Sequence, residues 1–379
     1  VQGVLGAGQP LPAGFGNGIR ISNNSYVGDF GNATADENAI RRIDYIVNNE
    51  NVVFVAGAVT GGVFANQNLV WTSRNSLAVR GDSPNTPFDP TPGGGNTIIV
   101  GKRRADVWSD TESSFATGRV SGFATALIGQ ATSMGFANAT NNQVVRSLIM
   151  TGADKSAVGS VTGPWTRDTT NNLSVTMGAG KANYAQSLSI LQGGERTLQP
   201  VTAGTTANVV SNSPSGFAFG TSAIGGQHAI VINAPNGISQ LTATLNWNVT
   251  QTTTGGTIDT SDTGRIFPNL ALDLRTATLS GGQFVLGSAP LPQTGLSSTA
   301  TLDNVQHLFF NGTGGSLPAG TYAFVITGDP SRSAVIGFSY SIIPVPEPIG
   351  GLALLPIAMW MYRRRRKQGA ASEAEQIAP

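Results

Sequence analysis

The chain has 379 residues, 49 of them glycine, with 11% charged residues and a formal net charge of +1. Length allows two or three domains, and the Gly, Asn, Ser and Thr content points to β-rich, loop-rich, exported material. Five of the 22 basic residues sit together at 363–367, leaving 17 against 21 acidic ones, so no cationic surface argues for nucleic acid as a partner. There is no cysteine, which excludes a disulfide framework, thiolate zinc sites and a thiol nucleophile. The chain begins at Val1 without a leader sequence, and the expectation is that a segment precedes it.

In chain order, residues 1–194 read as an α/β layer. Asp36 is placed to cap a helix that carries Ile40, Ile43 and Val47 on one face. The β-branched run 52–56, ending at Gly57, reads as a strand buried on both faces, and 97–100 as a second. Helix alternating with strand implies a parallel sheet. A helix starting near Ser114 carries Val120, Phe123, Ala124, Leu127, Ile128 and Ala131 at helical spacing. Further helices carry Val144, Val145, Leu148 and Ile149, and run from about Ala182 to Leu191.

Residues 195–343 read as an all-β sandwich or jelly roll, with short strands punctuated by Gly and Thr. Leu241, Ala243, Leu245, Trp247 and Val249 alternate with polar residues, the pattern of a half-buried antiparallel strand. The two histidines, His228 and His307, fall here. His307 has no neighbouring carboxylates in sequence and reads as structural. Asp259, Asp262 and Asp303 are candidate calcium ligands whose spacing fits no EF-hand loop, and no other metal or cofactor is expected.

Residues 344–367 form a tail of three parts. Val345-Pro346-Glu347-Pro348 precedes an apolar stretch, 349–362, and the cluster Arg363-Arg364-Arg365-Arg366-Lys367 closes it. Fourteen helical residues reach roughly 21 Å, short of a ~30 Å hydrocarbon core, and span one only with snorkelling flanks. The cations would stay cytoplasmic and leave the rest outside. Residues 368–379 read as disordered.

Two resemblances follow. The tail resembles the PEP-CTERM sorting signal of bacterial envelope proteins, which implies export to the cell surface, a short transmembrane helix and cleavage near the Pro-Glu-Pro box by an exosortase. Residues 112–122, Glu-Ser-Ser-Phe-Ala-Thr-Gly-Arg-Val-Ser-Gly, resemble the nucleophile segment of subtilisin-like serine peptidases. So, in order, do 104–107, 21–26, 144–155 and 178–183 resemble other segments of that family. The resemblance implies a subtilisin-like α/β parallel-sheet domain, N-terminally incomplete, followed by the sandwich as an accessory domain. It puts Ser114 at the nucleophile position. A Ser at a helix N-terminus sits beside free N–H groups that hold an oxyanion, although Ser113 or Ser114 can equally cap the helix.

Three departures count against activity. No His precedes His228, so the base and its acid are absent from the chain. Ala58 stands where the family has its oxyanion Asn, a loss of roughly 3–4 kcal/mol of transition-state stabilisation. Glu112 replaces a Gly, and Gly118-Arg119 replace Pro-His. The reading is therefore a partial, degenerate peptidase. One alternative is a non-catalytic envelope protein serving adhesion or matrix organisation. Another is an active endopeptidase on peptide substrates, if Asp and His lie upstream of Val1.

Overall fold

The computed structural model describes residues 18–25, 33–58, 70–82, 104–159, 163–168, 172–254, 257–258, 265–299, 303–312 and 314–346. The predicted strand at 97–100, Asp259, Asp262, and the tail from Glu347 through Pro348, 349–362 and Arg363–Lys367 lie outside these residues.

Four short strands, β1 (Ile21–Asn24), β2 (Val53–Ala58), β3 (Leu77–Gly81) and β4 (Val107–Ser109), pair in parallel in the order 1-2-3-4. Helix α1 (Ala33–Glu50) covers one face, burying Ile43 and Val47 against Phe54 and Ala56. The helix begins three residues before Asp36, so Asp36 lies in its first turn rather than capping it. Helices α2 (Ser113–Ser133), α3 (Asn142–Thr151) and α4 (Tyr184–Gln192) cover the other face. The stripe expected on α2 is the one that packs: Val120, Ala124, Leu127 and Ala131 are fully buried, and Phe123 and Ile128 lie against their edge. Asn183 caps α4, its side chain accepting from the Gln186 N–H at 3.2 Å.

The rest is antiparallel except for the short strand Val210–Ser211, which pairs in parallel with Gln227–Ala234. In chain order come β5 (Gln199–Val201), β6 (Thr205–Ala207), β7 (Val210–Ser211), β8 (Ser215–Ser222), β9 (Gln227–Ala234) and β10 (Ile238–Trp247). Two small ribbons follow, β11 (Thr250–Gln251) with β14 (Arg265–Ile266) and β12 (Thr253–Thr254) with β13 (Thr257–Ile258). Then come β15 (Ala271–Ser280), β16 (Gln283–Leu286), β17 (Ser297–Ser298), β18 (Val305–Phe310), β19 (Gly320–Thr327) and β20 (Ala334–Pro344). One sheet runs β18-β10-β20-β8. The facing sheet runs β5-β9-β19-β15-β16-β6, and its ends approach through a Thr202–Thr205 bridge, so it nearly closes on itself. Between the sheets, Ile230, Leu245, Leu272, Phe324 and Phe338 form the sandwich core.

These findings correct the expected fold class. The structure is mostly β, 40% strand against 23% helix, and is not a helix-rich α/β subtilisin-like domain with a sandwich appended. The parallel sheet is a minor layer of three- to six-residue strands. No helix among the described residues is long and apolar enough to cross a membrane. The physical reason lies in how α3 is used. It packs on the outer face of the sheet built from β18, β10, β20 and β8, so Phe217 and Val305 of that sheet share one core with α2, α3 and α4. Gly337 on β20 permits this contact, since a Cβ there would stand 2.3 Å from the Gln143 carbonyl carbon. For the same reason β10 is not half-buried. Its polar residues Thr242, Thr244 and Asn246 lie under the helices rather than in water, and Thr151 of α3 donates to Thr244 Oγ1 at 2.9 Å.

Candidate functional site

The N-terminus of α2 stands over the C-terminal ends of β2 and β3. Asp82, just past β3, donates its N–H to the Thr111 carbonyl at 2.9 Å. Gly81 makes the approach possible, because a Cβ there would lie 2.5 Å from both the Ser113 nitrogen and the Thr111 carbonyl oxygen. The N-cap is Glu112, with extended backbone and no side-chain capping bond, so neither serine caps the helix. Ser113 is buried and turns its hydroxyl toward the Ala58 carbonyl at 3.4 Å. Ser114 is exposed, its hydroxyl makes no hydrogen bond among the described residues, and its carbonyl accepts from Ser25 Oγ at 3.4 Å. The structure brings Ser114, Ala58 and the end of β1 to one place. Ala58 meets the helix through Ser113.

On the flank, Asp110 accepts from Lys181 Nζ at 2.9 Å and pairs with Arg119. The Lys181 hydrogen bond holds the Asp110 carboxyl at about 2. Arg119, a departure from the peptidase pattern, is therefore an ion-pair partner here.

Both histidines lie on sandwich strands, and neither touches Ser114. His228 on β9 pairs across to Pro200 and Ile326. His307 on β18 is fully buried and shares a 2.9 Å hydrogen bond through Nδ1 with Thr244, while Nε2 has no partner. Burial, with Lys155 as the second cause, pushes its pKa well down, so it is neutral. Of the calcium candidates, Asp303 is engaged by Arg104 at 3.0 Å. At the tail's root, the Val345 N–H reaches the Gly237 carbonyl at 3.4 Å, and Pro346 is exposed.

A second constellation was not expected from the sequence. Where α3 ends, the chain turns through Asp154-Lys155 beside a cleft of about 740 Å³, whose other walls are α4 and the outer face of β10, β18 and β20. Lys155 Nζ is shielded from solvent and, among the described residues, has no hydrogen-bond partner. It lies 4.7 Å from the Phe309 ring centre and 5.7 Å from that of Trp165, and the two rings meet edge to face at 5.1 Å. Burial lowers its pKa to about 7, against a smaller opposing pull from Asp154. Asp154 is turned away, its Oδ1 accepting from the Ser156 N–H and hydroxyl. Arg167 lines the same cleft and donates through Nη1 to the Phe309 carbonyl at 3.3 Å. The resemblance at 144–155 ends on Lys155, but nothing in the sequence couples it to Trp165 or Phe309.

No family model matches the chain, and no curated protein matches it. Among solved structures, it is similar to the periplasmic inhibitor of g-type lysozyme PliG from Aeromonas hydrophila, at 14% identity and a TM-score of 0.17, covering 34% of this chain and 86% of the inhibitor. It is also similar to a CBM4 carbohydrate-binding module, at 9% identity and a TM-score of 0.18, covering 38% of this chain and 78% of the module.

Proposed function

We propose that the chain is an exported bacterial envelope protein, sorted through its 344–367 tail by an exosortase-type enzyme, whose body acts without catalysing peptide hydrolysis. One observation carries the non-catalytic part. Both histidines are held in the sandwich, away from Ser114, which the resemblance would make the nucleophile. A serine hydroxyl without a partnered base is a poor nucleophile at neutral pH. Ala58 and Glu112 add to this, one by withholding a donor and the other by placing a carboxylate beside the site of a developing negative charge.

A second reading is a serine endopeptidase completed by an Asp and a His that lie upstream of Val1. It is favoured by the exposure of Ser114 at a helix N-terminus whose first N–H groups have no partner within the helix. A fluorophosphonate probe separates the two. Incubated with the chain together with the sequence encoded upstream of Val1, it leaves Ser114 unlabelled under the first reading. Labelling that disappears in Ser114→Ala establishes the second. The sorting part is tested by mass spectrometry of protein released from the cell surface. Loss of Arg363–Lys367 is expected, and mature protein that retains them overturns cleavage near the Pro-Glu-Pro box.

A further inference from the structure

We propose that the cleft at the end of α3 is a covalent binding site, in which the ε-amine of Lys155 captures a small aldehyde or ketone bearing a carboxylate or phosphate and holds it as an imine. Four features converge on it. A cleft of about 740 Å³ is ample for a molecule of a few heavy atoms. Among the described residues Lys155 Nζ has no hydrogen-bond acceptor, and the two aromatic rings are what it rests against. Burial favours the neutral amine, while the faces of the Phe309 and Trp165 rings beside it favour the cation. Among the described residues Arg167 bonds only through Nη1, to the Phe309 carbonyl, which leaves the rest of its guanidinium for an anionic group on the ligand.

The Lys155 side chain is only partly buried although its nitrogen is shielded, so rotation about the four-carbon stem carries Nζ from the rings into the cleft. The step balances without oxidant or reductant. The Nζ lone pair adds to the carbonyl carbon, and the C=O π pair moves to oxygen. The two amine protons and that oxygen then leave as water, and a C=N bond remains. His307 is the buried titratable group coupled to this lysine and Asp154 is its carboxylate neighbour. Thr244, Thr151 and Ser339 form a hydrogen-bonded chain behind His307, which fixes that wall of the cleft.

The chain makes the test specific, because it has four lysines, Lys102, Lys155, Lys181 and Lys367. The full chain is incubated at pH 7 with glyoxylate and cyanoborohydride, and carboxymethylated lysines are mapped by peptide mass spectrometry. The expected result is modification of Lys155 at least tenfold faster than of the other three. Propionaldehyde, which lacks the anionic group, is expected to react at least tenfold more slowly at Lys155. Arg167→Gln removes that preference while leaving the amine reactive. Modification of Lys155 no faster than of Lys181 overturns the proposal. Equal rates with both aldehydes overturn the role given to Arg167. All these readouts come from folded wild-type protein and the Arg167 variant, and none depends on Ser114.

Discussion

Asn75 and Val249 exchange two hydrogen bonds. The Asn75 amide donates to the Val249 carbonyl at 2.8 Å, and the Val249 N–H donates to Asn75 Oδ1 at 2.7 Å. A side chain thus replaces a strand neighbour for a residue 174 positions away, and it ties the turn before β3 to the chain leaving β10. The same amide also donates to the Asp44 carbonyl of α1 at 2.8 Å, and Asn304 adds a further donor to its oxygen. Asn75 is fully buried. The parallel layer and the sandwich are therefore joined by a satisfied polar lock as well as by the apolar core they share.

Asn75→Ala is expected to destabilise the whole protein. It leaves the buried N–H and C=O of Val249 without partners, at about 1–3 kcal/mol each. Urea unfolding followed by tryptophan fluorescence and by far-UV circular dichroism measures this. In the wild type the two signals should move together, since the layers share one core. In the variant the midpoint falls and the two signals separate. Unchanged midpoints would show that the lock contributes nothing.

Gly81→Ala probes how the Ser114 helix is seated. The new methyl would meet the Ser113 nitrogen and the Thr111 carbonyl, both backbone, so no flexible side chain can yield. A cost of about 2–3 kcal/mol is expected from overpacking. Ser114→Ala, by contrast, removes an exposed hydroxyl with no hydrogen bond among the described residues and should change stability by less than about 0.5 kcal/mol. A thermal-melt comparison of the two checks both. A large loss in Ser114→Ala would mean the hydroxyl is structural after all.

How legible this was depended on how local the signal was. The helical stripe of α2 is complete within one segment, and Val120, Ala124, Leu127 and Ala131 pack as their spacing predicts. The burial of Ile40, Ile43 and Val47 on α1 was equally readable, although the preceding turn of helix was not. The alternation along β10 misled, because its polar face is covered by α3, which comes about ninety residues earlier, and Thr244 finds its partner in Thr151. Periodicity reports chemistry along one strand and carries nothing about which distant element lies on it. Around Ser114, the contacts of Ser25 with Ser114 and of Ser113 with Ala58 join segments that the sequence alone does not show as neighbours. The Lys155 site was not legible, because its rings come from positions 165 and 309, and its distinctive property, an amine without an acceptor, exists only once the chain has folded.

The Asp110–Lys181 pair gives a spectroscopic prediction. Lys181 is the leading cause of the low Asp110 pKa, with Arg119 a lesser one. In Lys181→Met the Asp110 carboxyl should rise from about 2 toward its ordinary value near 3.8, read by NMR titration of the carboxyl carbon. Because the folded-state pKa lies below the unfolded one, the pair's contribution is present above about pH 4 and is lost as pH falls through about 2. Both side chains are well exposed, so the stability change should stay within about 0.5 kcal/mol. A carboxyl that does not move in the variant would assign the shift to the local backbone.

Lys155 has the opposite signature and can be read from the pH dependence of stability. Its folded-state pKa, about 7, lies below the ordinary lysine value of 10.5. Between those limits the unfolded chain binds a proton that the folded chain does not, so stability rises with pH across the window. Below about pH 7 both states are protonated, and this slope disappears. At its steepest one proton contributes about 1.4 kcal/mol per pH unit. Lys155→Met keeps the length and apolar character of the stem against Phe309 and Trp165 but cannot titrate. Urea unfolding at pH 7, 8 and 9 should therefore show a stability that climbs more steeply in the wild type than in Lys155→Met, with the variant more stable at pH 7. Parallel curves would mean that the amine is fully protonated in the fold at neutral pH. They would remove the neutral nucleophile on which carbonyl capture depends.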